Sequence, residues 1–166
     1  MTLAEFPILE HLNATQIENL RAVCEERTLD AGTTLIRHGE SGGKLYLVLE
    51  GTLQVYMPGN GRDIDLAEIH APAVVGELEL FTGHPRTASV RATTKVHLMA
   101  VSHERVLARV ADGDPAILKV MFAIAKTVAC RLVSATEKFV EIERTAPAPH
   151  ADELRAFRTK LFSEWS

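Results

Sequence analysis

The spacing of apolar residues changes twice along the chain. An apolar lead-in, Phe6, Ile8, Leu9 and Leu12, precedes Ile17, Leu20, Val23 and Cys24, which recur at helical spacing between Asn13 and Glu26. With an Asn/Thr start signal, this predicts a short amphipathic N-terminal helix. From Arg27 to Ser102 the pattern shifts to short β-like runs: Thr34 to Ile36, Lys44 to Leu49, Thr52 to Met57, Ile64 to Ile69, Ala88 to Ala92 and Val96 to Val101. Turn residues separate them, at Ala31-Gly32, Gly39 to Gly43, Glu50-Gly51, Pro58 to Gly61 and Ala71-Pro72. Short strands punctuated by Gly and Pro predict a sandwich, jelly roll or small barrel, with Pro58 to Gly61 as the clearest hairpin tip.

After Ser102 the helical period returns. Ser102 is positioned to cap a helix running through Arg105 to Val110, with Glu104 in its first turn. Asp112-Gly113-Asp114-Pro115 breaks it, and Pro115 suits the first turn of a long helix. Ile117, Met121, Ile124, Val128, Leu132, Ala135, Phe139 and Ile142 form its apolar stripe, longer than a small barrel can cover. The excess predicts a second helix against it, most simply its own copy in a homodimer through 115–143. Ala146-Pro147-Ala148-Pro149 ends the helix. Asp152 to Trp165 then reads as a short amphipathic piece with Leu154, Phe157, Leu161, Phe162 and Trp165 on one side. The expected class is α+β: an antiparallel barrel at about 27–102 with an N-terminal helix, C-terminal helices at about 103–143, and a linker and helix at 146–166.

Composition narrows this picture. The 166 residues carry a net charge of -4, with 46% hydrophobic and 24% charged residues, as in an ordinary globular domain. No basic run advertises a nucleic-acid partner. Cys24 and Cys130 are too far apart for a disulfide framework or zinc spacing, so both read as buried or half-buried thiols. There is no leader-like N-terminus and no apolar run long enough to span a membrane. A cytoplasmic protein is expected.

The candidate chemistry lies in Gly76-Glu-Leu-Glu-Leu-Phe-Thr-Gly-His-Pro-Arg-Thr-Ala-Ser-Val90. Gly76-Glu77 opens a compact apolar helical turn from Leu78 to Phe81, and the free amides at such a start suit an anion. Arg86 offers a planar fork matched to two phosphate oxygens, and the hydroxyls of Thr87 and Ser89 can add donors. Glu77 would repel a phosphate, but it can accept hydrogen bonds from ribose hydroxyls. Phosphate and ribose on one turn describe a nucleotide.

The segment resembles the phosphate-binding cassette of the cyclic nucleotide-binding domain family, which includes the catabolite activator protein. Gly32, Gly39-Glu40 and Leu45 to Gly51 extend the resemblance to roughly Phe6–Ile142. It implies a jelly roll followed by two helices, and a non-enzymatic sensor that signals by rearranging them. The implied ligand is a cyclic nucleotide with no metal: Thr136 resembles the cAMP reader, towards which the balance leans, and Thr87 resembles the cGMP-dependent kinases and the channels. Glu77 would accept from the ribose 2′-hydroxyl, Arg86 would pair with the cyclic phosphate, and Thr87 would add a hydroxyl. The amides around Gly76 and Leu78 would complete the cradle beside Ala88. Over Arg131 to Lys138 the long helix resembles that of the catabolite activator protein. There Thr136 is a base contact, Arg131 lies near the ligand, and the Val128/Leu132/Phe139 side is a dimer seam.

Three features depart from the family pattern. Glu79 stands where a small residue is usual; pointing outward it changes nothing, pointing inward it lowers affinity. Ala71 to Val75 replaces the usual approach to the cassette. The residues after Glu143 are too few for a helix-turn-helix domain, so the output is expected to pass to an unknown effector protein rather than DNA. For Glu77 and Arg86 the competing reading is a buried salt bridge at a turn. Two competing functions are a ligand-free interaction module and a jelly-roll metalloenzyme, although no cupin-like His pairing occurs. Gly39 to Leu45 resembles a P-loop but is one residue short, and it reads as a plain connecting turn.

Overall fold

The computed structural model describes residues 2–145 and 147–163. The chain divides into two compact units, Met1–Ile124 and Ala125–Ser166. In the first, two 3-10 turns, Leu3–Glu5 and Pro7–Leu9, lead into α1 (Ala14–Arg21). A capping box starts α1: Asn13 Oδ1 accepts from the Gln16 amide at 2.9 Å and Gln16 Oε1 from the Asn13 amide at 3.1 Å. The helix stops five residues before the predicted end. Glu25 and Glu26 belong instead to β1 (Glu25–Leu29), which pairs antiparallel with β8 (Val96–Ser102), Glu25 opposite Ala100 and Leu29 opposite Val96.

The remaining strands are β2 (Thr34–Ile36), β3 (Lys44–Glu50), β4 (Thr52–Met57), β5 (Ile64–His70), β6 (Ala73–Val75) and β7 (Ser89–Ala92). They form two antiparallel four-stranded sheets, β1-β8-β3-β6 and β2-β7-β4-β5, so sequential strands repeatedly change sheets, as in a jelly roll. The expected α+β jelly roll is therefore the observed fold. Leu29, Ile36, Tyr46, Val48, Leu53, Val75, Val90, Val96 and Leu98 pack into one buried cluster drawn from both sheets. Strand β3 is buried on both faces, from Leu45 to Leu49. By alternation Leu45, Leu47 and Leu49 point away from Tyr46 and Val48. Phe6, between the two 3-10 turns, and the helical residues Leu9, Leu20, Val106, Ile117 and Ile124 are buried as well.

Ser102 accepts from the Arg105 amide and caps α3 (His103–Ala111). Asp114 accepts from the Ala116 amide at 2.8 Å and pairs with Arg109, fixing the start of α4 (Pro115–Thr145). Of the predicted stripe on α4, Ile117 and Ile124 are buried, together with Ala116 and Val120, whereas Leu132 and Ile142 are each more than half exposed. The second unit contains the rest of α4 and α5 (Ala148–Phe162). Helix α5 begins four residues before the predicted Asp152, because Pro147 acts as its N-cap rather than as a linker residue. Within this unit the Phe139 and Phe157 rings lie 5.9 Å apart, and Arg158 Nη1 donates to Glu143 Oε1 at 2.9 Å. Phe139 of the predicted seam thus has an aromatic neighbour in its own chain. Trp165 and the side chain of Phe162 lie outside the described residues. Cys24 is partly buried, which pushes its thiol up to about 11. Cys130, expected to be covered, is exposed.

Candidate functional site: the cassette between β6 and β7

Strand β6 delivers the chain to Gly76, whose φ of +86° turns it into α2 (Glu77–Thr82). That left-handed conformation favours glycine. A side chain there would also collide with its surroundings. A Cβ on Gly76 would lie 2.5 Å from Arg86 Nη1 and 2.8 Å from the Lys44 carbonyl oxygen. Gly83, at φ +67°, closes the turn, and Pro85-Arg86 carries the chain back towards β7.

Glu77 and Arg86 are both buried, at 6% and 5% exposed. A buried charge requires partners. Arg86 donates from Nη1 to the Gly76 carbonyl at 2.9 Å and from Nη2 to the Lys44 carbonyl at 2.6 Å. Its Nε lies 2.9 Å from Glu79 Oε2, and its guanidinium carbon is 6.0 Å from the centre of the Tyr46 ring. The backbone is tied as well, since the Arg86 amide donates to Glu40 O and the Gly39 amide to Arg86 O. A salt bridge at the turn was one of the readings of the sequence. The acid facing the Arg86 Nε is Glu79.

Glu79 therefore points inward. Its Oε1 accepts from the Gly42 amide at 3.0 Å and the Gly43 amide at 3.2 Å, and its Oε2 is 3.3 Å from the Gly43 nitrogen. The Gly39 to Gly43 turn, read from sequence as a plain connector, is thus part of the site. Gly42 has to be small, because a Cβ there would lie 2.6 Å from Arg86 Nη2. Sequence reasoning also passed over His103. Its amide donates to Gly43 O at 2.8 Å, its ring is buried, and its Nε2 has no hydrogen-bond partner among the described residues. Burial holds the imidazole pKa below its usual value, and nearby Arg86 acts the same way. Glu79 and the backbone at Gly76 and Lys44 oppose that shift.

The other expected contacts divide. Leu78 and Thr87 are exposed at the cassette, and Ala88 is partly exposed. Ser89 is buried and structural: its Oγ accepts from the His38 amide at 3.0 Å. Thr136 and Arg131 lie on α4 in the second unit. The Thr136 hydroxyl donates to the Leu132 carbonyl at 2.9 Å, and Thr136 lines an open groove of about 760 Å³ with Leu132, Val133 and Val140. No cluster of three or more His, Cys, Asp or Glu side chains suited to a metal occurs among the described residues. None of the helices described is long and apolar enough to cross a membrane.

The cyclic nucleotide-binding domain pattern matches residues 26–112, a stretch that begins in β1 and ends just after α3. The chain belongs to the cyclic nucleotide-binding domain family. A cyclic nucleotide-gated potassium channel of Mesorhizobium japonicum is 31% identical over 119 residues, which are 71% of this chain and 31% of the channel. The cAMP-dependent protein kinase type II regulatory subunit of Drosophila melanogaster is 31% identical over 98 residues, 59% of this chain and 26% of that subunit. Among solved structures, the N-terminal domain of a transcriptional regulator from Streptomyces coelicolor A3(2) aligns with a TM-score of 0.63 at 31% identity. That alignment covers 80% of this chain and 92% of the Streptomyces domain. This cyclic nucleotide-binding domain spans about a third or less of the length of the curated relatives it matches.

Proposed function

We propose that the chain is a non-enzymatic cyclic nucleotide sensor acting in the cytoplasm, with cAMP preferred and cGMP bound measurably. The observation that carries this reading is the pair of buried charges, Glu77 and Arg86, on one glycine-gated turn. A carboxylate beside a cationic fork suits a ligand with both a ribose hydroxyl and a phosphate. The preference for cAMP rests on the resemblance at Thr136. Thr87, exposed at the cassette, leaves room for cGMP. Differential affinity for two arrangements of the helices would supply the signal. The output passes to a partner protein or through a second copy, for which exposed Leu132 and Ile142 on one side of α4 offer apolar surface.

Calorimetric titration with cAMP and cGMP tests the reading. Arg86→Ala is expected to weaken binding at least about tenfold, the loss of a charge-assisted contact. No heat and no thermal shift from either nucleotide at millimolar concentration would sink the sensor. A second reading, a ligand-free interaction module, is favoured by the way Arg86 is satisfied within the chain by Gly76, Lys44 and Glu79. The same titration separates the two.

A further inference from the structure

Four groups converge on the Glu79 carboxylate: the Arg86 guanidinium, the Gly42 and Gly43 amides and, nearby, the His103 ring. The side chains of Arg86 and Glu79 are only 4% and 10% exposed. One guanidinium Nε–H and two convergent backbone amides around a buried carboxylate are a donor set that a phosphate monoanion would take. We infer that Glu79 is the internal occupant of the phosphate cradle, and that a cyclic nucleotide binds by displacing it. The inference rests on the proposed function and adds to it the residue that sets the affinity threshold.

Two consequences follow from the geometry. A phosphate arriving at Arg86 with Glu79 still in place would meet a like charge in a site with little water, so the two anions exclude one another. Displacing Glu79 also passes the Gly42 and Gly43 amides to the phosphate, and their turn is tied to α3 through the bond from the His103 amide to Gly43 O. Ligand occupancy would therefore reach the start of α3 by a short covalent and hydrogen-bonded route.

The test titrates cAMP into the wild-type chain, Glu79→Ala and Glu79→Gln, each first shown to be folded by a cooperative thermal melt. Glu79→Gln keeps the size and one acceptor oxygen, and so guards against loss of the fold. Removing the competing charge is expected to tighten binding at least about tenfold in both variants. Equal affinity in all three proteins would overturn this inference and leave the sensor standing. Weaker binding by both variants would make Glu79 a positioning residue and overturn it too. Tight binding by the variants with none by the wild type would keep Glu79 as the occupant of the cradle but overturn both its displacement and the sensor reading. No binding by any of them would remove both.

Discussion

A double-mutant cycle on Arg86 and Glu79 measures how far the buried pair holds the cassette together. Arg86→Ala leaves Glu79 with the Gly42 and Gly43 amides but no counter-charge. It also removes the side chain against which Gly42 and Gly76 are packed. Breaking a buried pair from one side costs about 3–5 kcal/mol, and two remaining amide donors place this site near the lower end, at about 3 kcal/mol. Glu79→Ala leaves the guanidinium donating to the Gly76 and Lys44 carbonyls but orphans two amides. The expected cost is similar, about 3 kcal/mol. The double variant has no uncompensated charge, so its loss should fall short of the sum by about 1–3 kcal/mol. Urea unfolding followed by far-ultraviolet circular dichroism gives all four stabilities with one probe. Since a domain of this size is stable by about 5–15 kcal/mol, each single variant should remain measurable. Additivity within about 0.5 kcal/mol would refute the reasoning, because residues sharing a buried ion pair cannot be independent.

Two further outcomes are expected. Gly76→Ala combines the positive-φ penalty with the collision on Arg86 and Lys44 O, for a loss of about 2–4 kcal/mol. Gly32→Ala, at φ +88° with nothing within 4 Å of the added carbon, should cost only about 1 kcal/mol; equal losses in urea unfolding would show that the Arg86 seat is not tight. His103 should make the fold acid-sensitive. Its pKa is depressed in the folded state, so the unfolded chain takes up the proton first as pH falls below about 6.5. Stability from this group is therefore complete above that pH and is lost on descending towards the lower folded pKa. His103→Gln should flatten the difference in melting temperature between pH 7.5 and pH 5.5, and an unchanged slope would count against a buried neutral imidazole.

What the sequence made legible depended on the kind of signal. The cassette was readable because Gly76, Glu77, Pro85 and Arg86 are chemically distinctive and fixed in spacing. Six strands were readable because apolar residues recur in short runs bounded by turn residues. Strand β1 was not, since Glu25-Glu-Arg-Thr-Leu29 is mostly exposed and only Leu29 is buried. Its strand character comes from its ladder with β8 rather than from its own composition. Strand β6, only three residues long and directly after Pro72, lacks the length for a period to register. On α4 the period was correct, but where the covering layer ends depends on what packs there, and the burial stops after Ile124.

The two acids of α2 mark the sharper limit. Glu77 and Glu79 are two residues apart on a helix, hence about 200° apart around its axis, so they face different surroundings. Periodicity states that separation without choosing which carboxylate meets the arginine. The choice is made by the turn before β3, where the Gly42 and Gly43 amides point at Glu79 and complete its hydrogen bonding. Those donors belong to the backbone. A reading by side-chain type sees two glycines and infers flexibility, whereas their use here is to let the main chain approach Arg86 and Glu79 closely. A carboxylate held by main-chain amides can be released without rebuilding the core. That is why replacing Glu79 should tighten binding, whereas replacing Arg86 should weaken it.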